Sequence, residues 1–335
     1  MTTIALFGAG FIGRAHAANI VAHPRTSLRW VCDVDLSRAR NLVASAGANT
    51  TDDPADVWSD DAVDAVVIAS STDTHAALLA QAVHAGRAVY CEKPIDLDID
   101  RVLAVAEEVA DSDVPVFMGF SRRYDANHRA LRDAVRAGEV GSIELMHLLT
   151  RGPAPPPLSY IEVSGGQFRD QTIHMFDLAY WIAGEDPVEV YATGAALTDP
   201  AIAEVGDIDT SIVVLTMPGG ALCQIDSARR CAYGYDERIE VFGSAGMIES
   251  GRKLVREVTR YVGDRIVADG LHAGWFERIE PTFAAALDAF VGVVEGRTDP
   301  YPSLRDGLRA QMIAEAAVAS LKAHHPVEIT PWRPS

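Results

Sequence analysis

Short apolar runs alternate with amphipathic segments over residues 3–119. The apolar runs are rich in Val, Ile and Ala, show little polar alternation, and lie at 4–7, 28–32, 65–69, 88–91 and 114–118. Strands that are buried on both faces of a sheet have this composition. Segments with helical spacing lie between them, at 11–21, 36–46, 74–85 and 99–110. The alternation predicts an α/β domain with right-handed βαβ units and a parallel sheet.

The pattern changes after Gly119. A helix is predicted at 125–137, a strand at 143–151, a proline-rich loop at 152–157, and a loop followed by a helix over 165–183. Turn residues such as Pro218-Gly219-Gly220, typical of an antiparallel meander, separate runs with β-like composition at 188–194, 210–217, 221–227, 237–242 and 247–249. The last predicted elements are two helices and a strand, at 276–295, 303–323 and 327–329. This half is predicted as an α+β domain with a large open, mostly antiparallel sheet.

Length and charge narrow the functional classes. At roughly 150 residues per domain, a chain of 335 residues predicts two domains. The chain carries 29 Lys and Arg against 47 Asp and Glu, a formal net charge of −18. Such a chain repels phosphate backbones and anionic lipid unless it has a local basic stripe. Its adjacent basic residues, such as Arg122-Arg123 and Arg229-Arg230, are only pairs, so we expect no nucleic-acid or membrane partner.

Cysteine usage and the N-terminus indicate a reducing compartment. The cysteines form no CxxC pair and have no His cluster beside them, which favours buried free thiols over disulfides or a zinc site at Cys32, Cys91, Cys223 and Cys231. No apolar run approaches the ~20 residues that span a bilayer. The N-terminal residues lack the basic head of a signal peptide. We therefore expect a cytoplasmic protein.

A glycine-rich turn, Gly8-Ala9-Gly10-Phe11-Ile12-Gly13, follows the first apolar run and opens the first helical segment. In this strand–turn–helix context the spacing is typical of dinucleotide binding. Gly8 permits the tight turn, Gly10 lets the backbone approach a pyrophosphate, and Gly13 lets helix and strand pack closely. We expect this turn, with Phe11 and Ile12, to contact the cofactor. The alternative is a glycine turn that binds no ligand.

Asp33 ends the second apolar run, 20 residues after Gly13. A carboxylate at this place binds the adenosine ribose hydroxyls and would repel a ribose 2′-phosphate. The sequence therefore favours NAD over NADP. Arg38 on the next helix weakens that preference, because it could reach a phosphate.

The tetrapeptide Cys91-Glu92-Lys93-Pro94 ends the fourth apolar run. Ligands of open α/β sheets bind outside the carboxyl ends of the strands. We therefore expect Glu92 and Lys93 in the cofactor site, with Lys93 beside the nicotinamide. Pro94 would permit a cis peptide bond before it.

Polar residues at 70–75 leave the third apolar run at the same edge of the predicted sheet. Among them Ser70, Thr72 and His75 are expected to line the cofactor groove. The alternative is that Thr72 or Asp73 only caps the following helix.

Asp170 and His174 lie four residues apart, on one face of a predicted helix. Histidine can take a proton near neutral pH, and a carboxylate one turn away can orient it and stabilise its charged form. This pair is the predicted catalytic base and its partner. Three alternatives stay open: a core histidine, a first-turn acid favoured by the helix dipole, and a metal face that includes Asp177.

Taken together, these motifs resemble the glucose–fructose oxidoreductase, inositol dehydrogenase and MocA (Gfo/Idh/MocA) family over nearly the whole chain. Within that family the resemblance is strongest to the inositol 2-dehydrogenases. The segment Tyr233-Gly234-Tyr235-Asp236 (YGYD) carries most of this resemblance. The matching segments are 8–13, 92–94, 119–125, 166–174, 206–210 and 233–238. The chain differs at Met175, where the family often has an acidic residue, and at Gly152, where some inositol dehydrogenases have an Asn that contacts the polyol.

The resemblance implies a Rossmann domain over 1–120 and a substrate-binding and oligomerisation domain over 121–335, with room for a C-terminal helix to return to the first domain. It implies a catalytic triad of Lys93, Asp170 and His174, and no metal. Further hydroxyls of the substrate would be bound by Arg122, Gln171, Tyr233 and Tyr235, although cross-strand packing is an equal alternative for the tyrosines.

The implied activity is the NAD-dependent oxidation of a cyclic polyol, myo-inositol or an isomer such as scyllo- or chiro-inositol, to a keto-inositol. The implied assembly is a homo-oligomer, a dimer or tetramer. Oxidation of an aldose or another sugar is the nearest alternative. An NAD-dependent glycosidase and a non-catalytic NAD-sensing regulator are further alternatives, and the regulator would not need all three triad residues.

Overall fold

A computed structural model describes residues 1–44 and 47–332 of the chain. Its strands are β1 (Thr2–Phe7), β2 (Thr26–Cys32), β3 (Asn49–Thr51), β4 (Ala65–Ile68), β5 (Ala88–Cys91), β6 (Val116–Met118), β7 (Ile143–Arg151), β8 (Glu189–Ala195), β9 (Thr210–Thr216), β10 (Leu222–Ala228), β11 (Asp236–Gly243), β12 (Gly246–Ser250), β13 (Thr259–Val262), β14 (Arg265–Ala268) and β15 (Val327–Glu328). Its helices are α1 (Phe11–Ala22), α2 (Leu36–Val43), α3 (Pro54–Trp58), α4 (His75–His84), α5 (Ile99–Glu108), α6 (Ala126–Arg136), α7 (Leu158–Ile161), α8 (Ile173–Ala183), α9 (Pro200–Glu204), α10 (Trp275–Val294) and α11 (Leu304–Ala323). Short 3₁₀ turns lie at Thr72–Thr74 and Ser121–Tyr124, and a π-helical turn lies at Phe168–Thr172.

The chain forms two compact units. The first comprises Met1–Tyr124, Pro281–Gln311 and Trp332, and the second comprises Asp125–Glu280 and Met312–Pro331. The first division of the chain lies close to the boundary expected after residue 120. Most of α10 and the start of α11 belong to the first unit, which is the kind of C-terminal return that the resemblance allowed for.

A parallel sheet with strand order β3-β2-β1-β4-β5-β6 forms the centre of the first unit. The predicted parallel α/β domain is confirmed. The sequence pattern did not reveal β3 or α3, because β3 is a short polar strand and α3 is a single turn started by Asp53 and Pro54. The helix predicted over 36–46 ends at Val43, and its last two predicted residues, Ser45 and Ala46, lie outside the described residues.

The core of the first unit joins the sheet to α1 and to the C-terminal return. The inward side chains of the central strands lie in one hydrophobic cluster with Leu287, Phe290 and Val291 of α10. Aromatic rings extend it, because Tyr90 stacks on Phe117 at 5.1 Å between ring centroids. Residues distant in sequence therefore complete this core.

The second unit contains a sheet with strand order β12-β11-β7-β10-β9-β8-β15. Strands β8, β9 and β10 form the expected meander, and the predicted open, mostly antiparallel sheet is confirmed. The meander does not continue into β11, however, because β7 lies between them, parallel to β10 and antiparallel to β11. A parallel pair needs a long crossover, and the segment from residue 152 to residue 221 includes it.

The two faces of this sheet differ in character. One face carries Met146, Leu148 and Ile225 into a hydrophobic cluster with α8 and part of α11. On the other face, Met247, Phe242, Leu145 and Leu222 are directly paired across four neighbouring strands, and all four are exposed. The sheet thus presents a continuous apolar row.

A hairpin of β13 and β14 follows this sheet, with all its residues exposed. No helix within residues 1–44 and 47–332 combines the length and the apolar character that crossing a membrane requires.

Candidate active site

The glycine turn after β1 has the shape that its sequence predicts. Gly8 has φ +96°, and a Cβ there would lie 2.4 Å from the carbonyl oxygen of Ala69. A Cβ at Gly13 would lie 2.0 Å from the carbonyl oxygen of Gly8. At Gly10, by contrast, a Cβ would meet no described heavy atom within 4 Å. Two positions therefore exclude a side chain for packing reasons, and the third is open for a ligand to approach the backbone.

The residues that follow this turn divide between solvent and core. Phe11 begins α1 and its side chain is half exposed, whereas Ile12 packs against the hydrophobic cluster of the first unit. Phe11 is thus accessible to a bound molecule. The Ile12 side chain packs against the core, so a cofactor contact is predicted only for the Ile12 main chain.

The Asp33 carboxylate is attached to the glycine turn. Its Oδ2 accepts a hydrogen bond of 2.6 Å from the Ala9 amide, and its Oδ1 accepts one of 2.8 Å from the Asp35 amide. Each carboxylate oxygen can accept a further hydrogen bond, as ribose hydroxyls would require. Arg38 is exposed and lies 3.2 Å from Asp35. The charge nearest the turn is therefore negative, as NAD rather than NADP requires.

Glu92 is buried and connects α1 to the Lys93 loop. Its Oε1 lies 2.8 Å from Nε2 of His16, and its Oε2 accepts a hydrogen bond of 3.3 Å from the Lys93 amide. A Cβ at Gly119 would lie 2.8 Å from the same Oε2, so only glycine fits there. The structure thus gives Glu92 a supporting role at this edge of the sheet.

Lys93 is half buried, and the peptide bond between Lys93 and Pro94 is cis. His75 supports this loop, because its Nδ1 lies 2.8 Å from the carbonyl oxygen of Pro94 and its Nε2 lies 3.2 Å from that of Ser70. The His75 ring is buried. It joins two loops rather than presenting a free edge to a groove.

The helix cap that was the alternative for the segment at 70–75 is not observed. Thr74 precedes α4, and its side chain makes no capping hydrogen bond within the described residues. Its hydroxyl lies 2.7 Å from that of Ser70 instead. Thr72 and Asp73 lie in the 3₁₀ turn, so neither is the capping residue, and their polar groups remain candidates for a bound molecule.

Arg122 lies in the 3₁₀ turn Ser121–Tyr124 and is buried. Its neighbour Arg123 is also buried, pairs with Asp306 at 3.3 Å and stacks over Tyr301. The turn is therefore firmly held within the first unit. A substrate contact by Arg122 stays a prediction.

In the second unit both oxygens of Asp170 are held by other side chains. Oδ1 accepts a hydrogen bond of 3.0 Å from the Tyr160 hydroxyl, and Oδ2 accepts one of 3.3 Å from Nη1 of Arg229. Nη2 of Arg229 lies 3.2 Å from Oδ2 of Asp207. Burial, together with the charge of Asp170, raises the pKa of the Tyr160 hydroxyl, which stays protonated and donates.

The helix that carries this pair is not regular. Asp170 lies in the π-helical turn and His174 lies in the first turn of α8, where it is buried. The segment that carries Asp170 and His174 is therefore not the regular α-helix that their spacing predicted. Single π turns of this kind occur frequently at functional sites.

Gln171 fixes the π-helical turn to the sheet. Its side-chain amide donates to the carbonyl oxygens of Ala228, at 3.0 Å, and Thr150, at 3.5 Å. These partners are the last residue of β10 and the penultimate residue of β7. The turn is thus held at the ends of the two parallel strands.

The two tyrosines predicted as substrate contacts have different surroundings. Tyr233 is half exposed, and its hydroxyl accepts from Arg151 at 3.1 Å and donates to Asp236 at 3.0 Å. Tyr235 is buried, and its hydroxyl donates to Glu237 at 2.7 Å. Both hydroxyls form hydrogen bonds with polar or charged side chains, which cross-strand aromatic packing, the alternative for these tyrosines, would not require.

The predicted residues fall into two groups. The glycine turn, Asp33, Glu92, Lys93 and Arg122 belong to the first unit, whereas Asp170, Gln171, His174 and both tyrosines belong to the second. That Lys93 meets Asp170 and His174 stays a prediction. No group of three or more His, Cys, Asp or Glu residues suited to a metal ion occurs in the described part of the chain.

Sequence reasoning missed Tyr160, Asp207 and Arg229. Arg229 was noticed only as half of a basic pair, and Tyr160 follows the proline cluster in a segment with no clear pattern. A partly buried carboxylate is stabilised by partners. Asp170 is such a group, but the spacing along the chain does not indicate which cation pairs with it.

The first unit fits a dinucleotide on its own geometry. The open backbone at Gly10 and the amide end of α1 suit a pyrophosphate, and the Asp33 carboxylate beside Ala9 suits ribose hydroxyls.

Comparison with known proteins gives the same assignment. Residues 2–120 match the family described as "Oxidoreductase family, NAD-binding Rossmann fold", and residues 128–249 match the GFO/IDH/MocA C-terminal domain. The chain is 38% identical over 325 residues to an inositol 2-dehydrogenase of Rhizobium meliloti, covering 97% of this chain and 98% of the relative. It is 40% identical over 329 residues to a myo-inositol 2-dehydrogenase of Thermotoga maritima, with 97% and 98% covered.

Among solved structures, the fold superposes on a myo-inositol dehydrogenase of Corynebacterium glutamicum with a TM-score of 0.94 at 38% identity, covering 99% of this chain and all of that one. The expected family, the expected fold class and the expected NAD-binding first domain are confirmed. The chain therefore belongs to the Gfo/Idh/MocA family of oxidoreductases, whose first domain is an NAD-binding Rossmann fold.

Proposed function

We propose that this protein oxidises a cyclic polyol, myo-inositol or an isomer such as scyllo- or chiro-inositol, to the corresponding keto-inositol with NAD. The observation that carries the proposal is the Asp170 carboxylate, held at both oxygens four residues before His174. The relatives from Rhizobium meliloti and Thermotoga maritima, similar over almost their entire length, are named as inositol dehydrogenases.

NAD held by the glycine turn and Asp33 would supply the hydride acceptor for the carbon that carries the reacting hydroxyl. An imidazole nitrogen of His174 takes the hydroxyl proton, and the fixed Asp170 carboxylate stabilises the imidazolium. Lys93 donates a hydrogen bond to the oxygen as it becomes a carbonyl. General acid–base catalysis of this kind typically contributes about 10²–10⁴-fold.

Recognition of the remaining hydroxyls is assigned to polar groups around the triad. Gln171 and Tyr233 are proposed as direct contacts, together with Arg122 of the first unit. Because Tyr235 is buried and its hydroxyl donates to Glu237, the surroundings of Tyr235 favour a supporting role.

The proposed assembly is a homo-oligomer, a dimer or tetramer, that works in the cytoplasm. The apolar row of Met247, Phe242, Leu145 and Leu222 supports the assembly, because exposed contiguous apolar surface marks interaction sites. Light scattering on Phe242→Glu tests it. We expect a smaller particle than wild type, and an unchanged mass would remove this face from the interface.

A substrate panel tests the activity. Purified protein is given myo-, scyllo- and chiro-inositol and common hexoses, each with NAD and with NADP, and the reduced cofactor is followed optically. We expect NADH formation with at least one inositol. Turnover of hexoses alone would favour the aldose dehydrogenase, and no net NADH from any polyol would contradict the proposal.

Two variants assign the base. His174→Ala is expected to lose turnover by about 10²-fold or more while it keeps its affinity for NAD. His84→Ala removes an exposed imidazole of α4 and is expected to behave as wild type. Equal turnover in the two variants would remove His174 from the role of base.

A further inference from the structure

We propose that Arg229 is a positioning residue that holds the Asp170 carboxylate in place for His174, an inference that rests on the proposed function. Arg229 follows the last residue of β10, and only 3% of its surface is exposed. Its main-chain amide donates to the carbonyl oxygen of Asp209 at 2.8 Å, which fixes the start of the side chain.

The guanidinium bridges two carboxylates. Nη1 lies 3.3 Å from Oδ2 of Asp170, and Nη2 lies 3.2 Å from Oδ2 of Asp207. The planar fork of arginine can hold two carboxylates at fixed positions, which the single ammonium of lysine cannot do. Asp207 is itself fixed, because its Oδ1 accepts a hydrogen bond of 2.9 Å from the main-chain amide of Gln167. Asp170 is therefore attached through Arg229 to a rigid part of the second unit.

The charge of Arg229 lies between those of the two carboxylates. One guanidinium between the two carboxylates gives a formal sum of −1 (+1 − 1 − 1) in a largely buried cluster. Loss of the guanidinium would remove the cation that bridges Asp170 and Asp207, and the two carboxylates would no longer be held together.

Two neighbouring side chains, Tyr160 and Arg169, make different interactions. Tyr160, from α7, donates to Asp170 as a neutral hydroxyl. Arg169, beside Asp170 in the π-helical turn, forms its ion pair with Glu315 of α11. His174 follows on α8 and is the group whose protonation the cluster would control.

Titration of the His174 ring by NMR tests the inference without requiring turnover. The ring signal is assigned with His174→Ala, and its pKa is measured in wild type, Arg229→Met and Asp207→Asn. Arg229→Met releases the Asp170 carboxylate that stabilises the imidazolium, so the pKa of the His174 imidazole is expected to fall by about one unit. Removing the anion in Asp207→Asn is expected to lower it, while the Asn oxygen still accepts from the Gln167 amide.

Two further variants separate charge from folding. Arg229→Lys keeps the charge but lacks the planar fork, so it is expected to lower the His174 pKa by less than Arg229→Met does, and this test stands even if Arg229→Met does not fold. Arg230→Met removes the exposed neighbouring charge and is expected to leave the titration unchanged. The same His174 pKa in all the folded variants would overturn the inference.

Steady-state kinetics add a second readout. We expect the acid limb of kcat/KM to move to lower pH in both Arg229→Met and Asp207→Asn, with kcat in Arg229→Met reduced about tenfold or more. If wild type oxidises no polyol, the proposed function fails, but the NMR titration still decides the role of Arg229. A limb that stays in place in both variants, in an active enzyme, would count against it.

Discussion

His16 Nε2 lies 2.8 Å from Glu92 Oε1, and both side chains are buried. This pair connects α1, which carries the glycine turn, to the loop that carries Lys93. The imidazole also packs edge-on against Tyr90 and Phe283, at 5.0 Å and 5.5 Å between ring centroids. A single side chain therefore serves both the packing of the first unit and the position of its functional loops.

Replacing this histidine should destabilise the protein. His16→Ala leaves a cavity between two aromatic rings and a buried carboxylate without its partner, so we expect the free energy of unfolding to fall by about 2–4 kcal/mol. Urea denaturation followed by fluorescence measures it. The exposed His84→Ala serves as the control, and equal unfolding midpoints for the two variants would contradict the prediction.

Asp33 should set the choice of cofactor. Asp33→Asn keeps the size of the side chain but removes the charge beside the ribose, so we expect KM for NAD to rise about tenfold, or ~1.4 kcal/mol, and KM for NADP to fall. Asp35→Asn is the matched control, because it removes a charge two residues away that pairs with Arg38. Asn is also a good helix cap, so α2 should persist. An unchanged ratio of the two KM values in Asp33→Asn would show that Asp33 does not discriminate.

The Tyr160 hydroxyl should support catalysis without being essential. Tyr160→Phe removes the 3.0 Å hydrogen bond to Asp170 but leaves Arg229 in place. A hydrogen bond of this kind is worth about 0.5–1.5 kcal/mol, so we expect kcat to fall roughly three- to tenfold. Tyr261→Phe removes a hydroxyl from a side chain that is 78% exposed, and it should retain wild-type kcat. A wild-type kcat in Tyr160→Phe would argue against this support.

Asp125 should contribute stability that depends on pH. Burial alone would raise the pKa of the Asp125 carboxyl, but the charges of His128 and Arg278 outweigh it and hold the pKa below its ordinary value. The pair with Arg278 has an Nη1–Oδ2 distance of 2.5 Å. Because the folded-state pKa is depressed, this stability is present above the ordinary pKa of about 3.9 and is lost as pH falls through the folded-state pKa.

The test is the stability of Asp125→Asn as a function of pH. At neutral pH we expect a loss of about 3 kcal/mol, because the charge of buried Arg278 is no longer matched. The difference from wild type should shrink below about pH 4. Asp133→Asn, on the exposed side of the same helix, is the control. A difference from wild type that stays constant across this range would refute the assignment to the Asp125 charge.

The sequence predicted most of the fold because local periodicity is encoded along the chain. Strand β5 and strand β7 lie where their apolar runs predict them, and α1, α6 and α10 differ from their predicted bounds by at most one residue at either end. The misses have local causes. Strand β3 is polar, and the β13–β14 hairpin lies in an exposed segment whose pattern matches no buried element.

The sequence by itself determined the glycine turn, the acidic residue after β2 and the spacing of Asp170 and His174, since each depends on residues close together in the chain. Tertiary structure alone decided that β7 lies between β10 and β11, and that Tyr160, Asp207 and Arg229 surround Asp170. Asp170 and Arg229 are 59 residues apart. The Asp170 carboxylate is partly buried and a nearby cation stabilises it, but the packing of the whole unit determines which cation lies within reach.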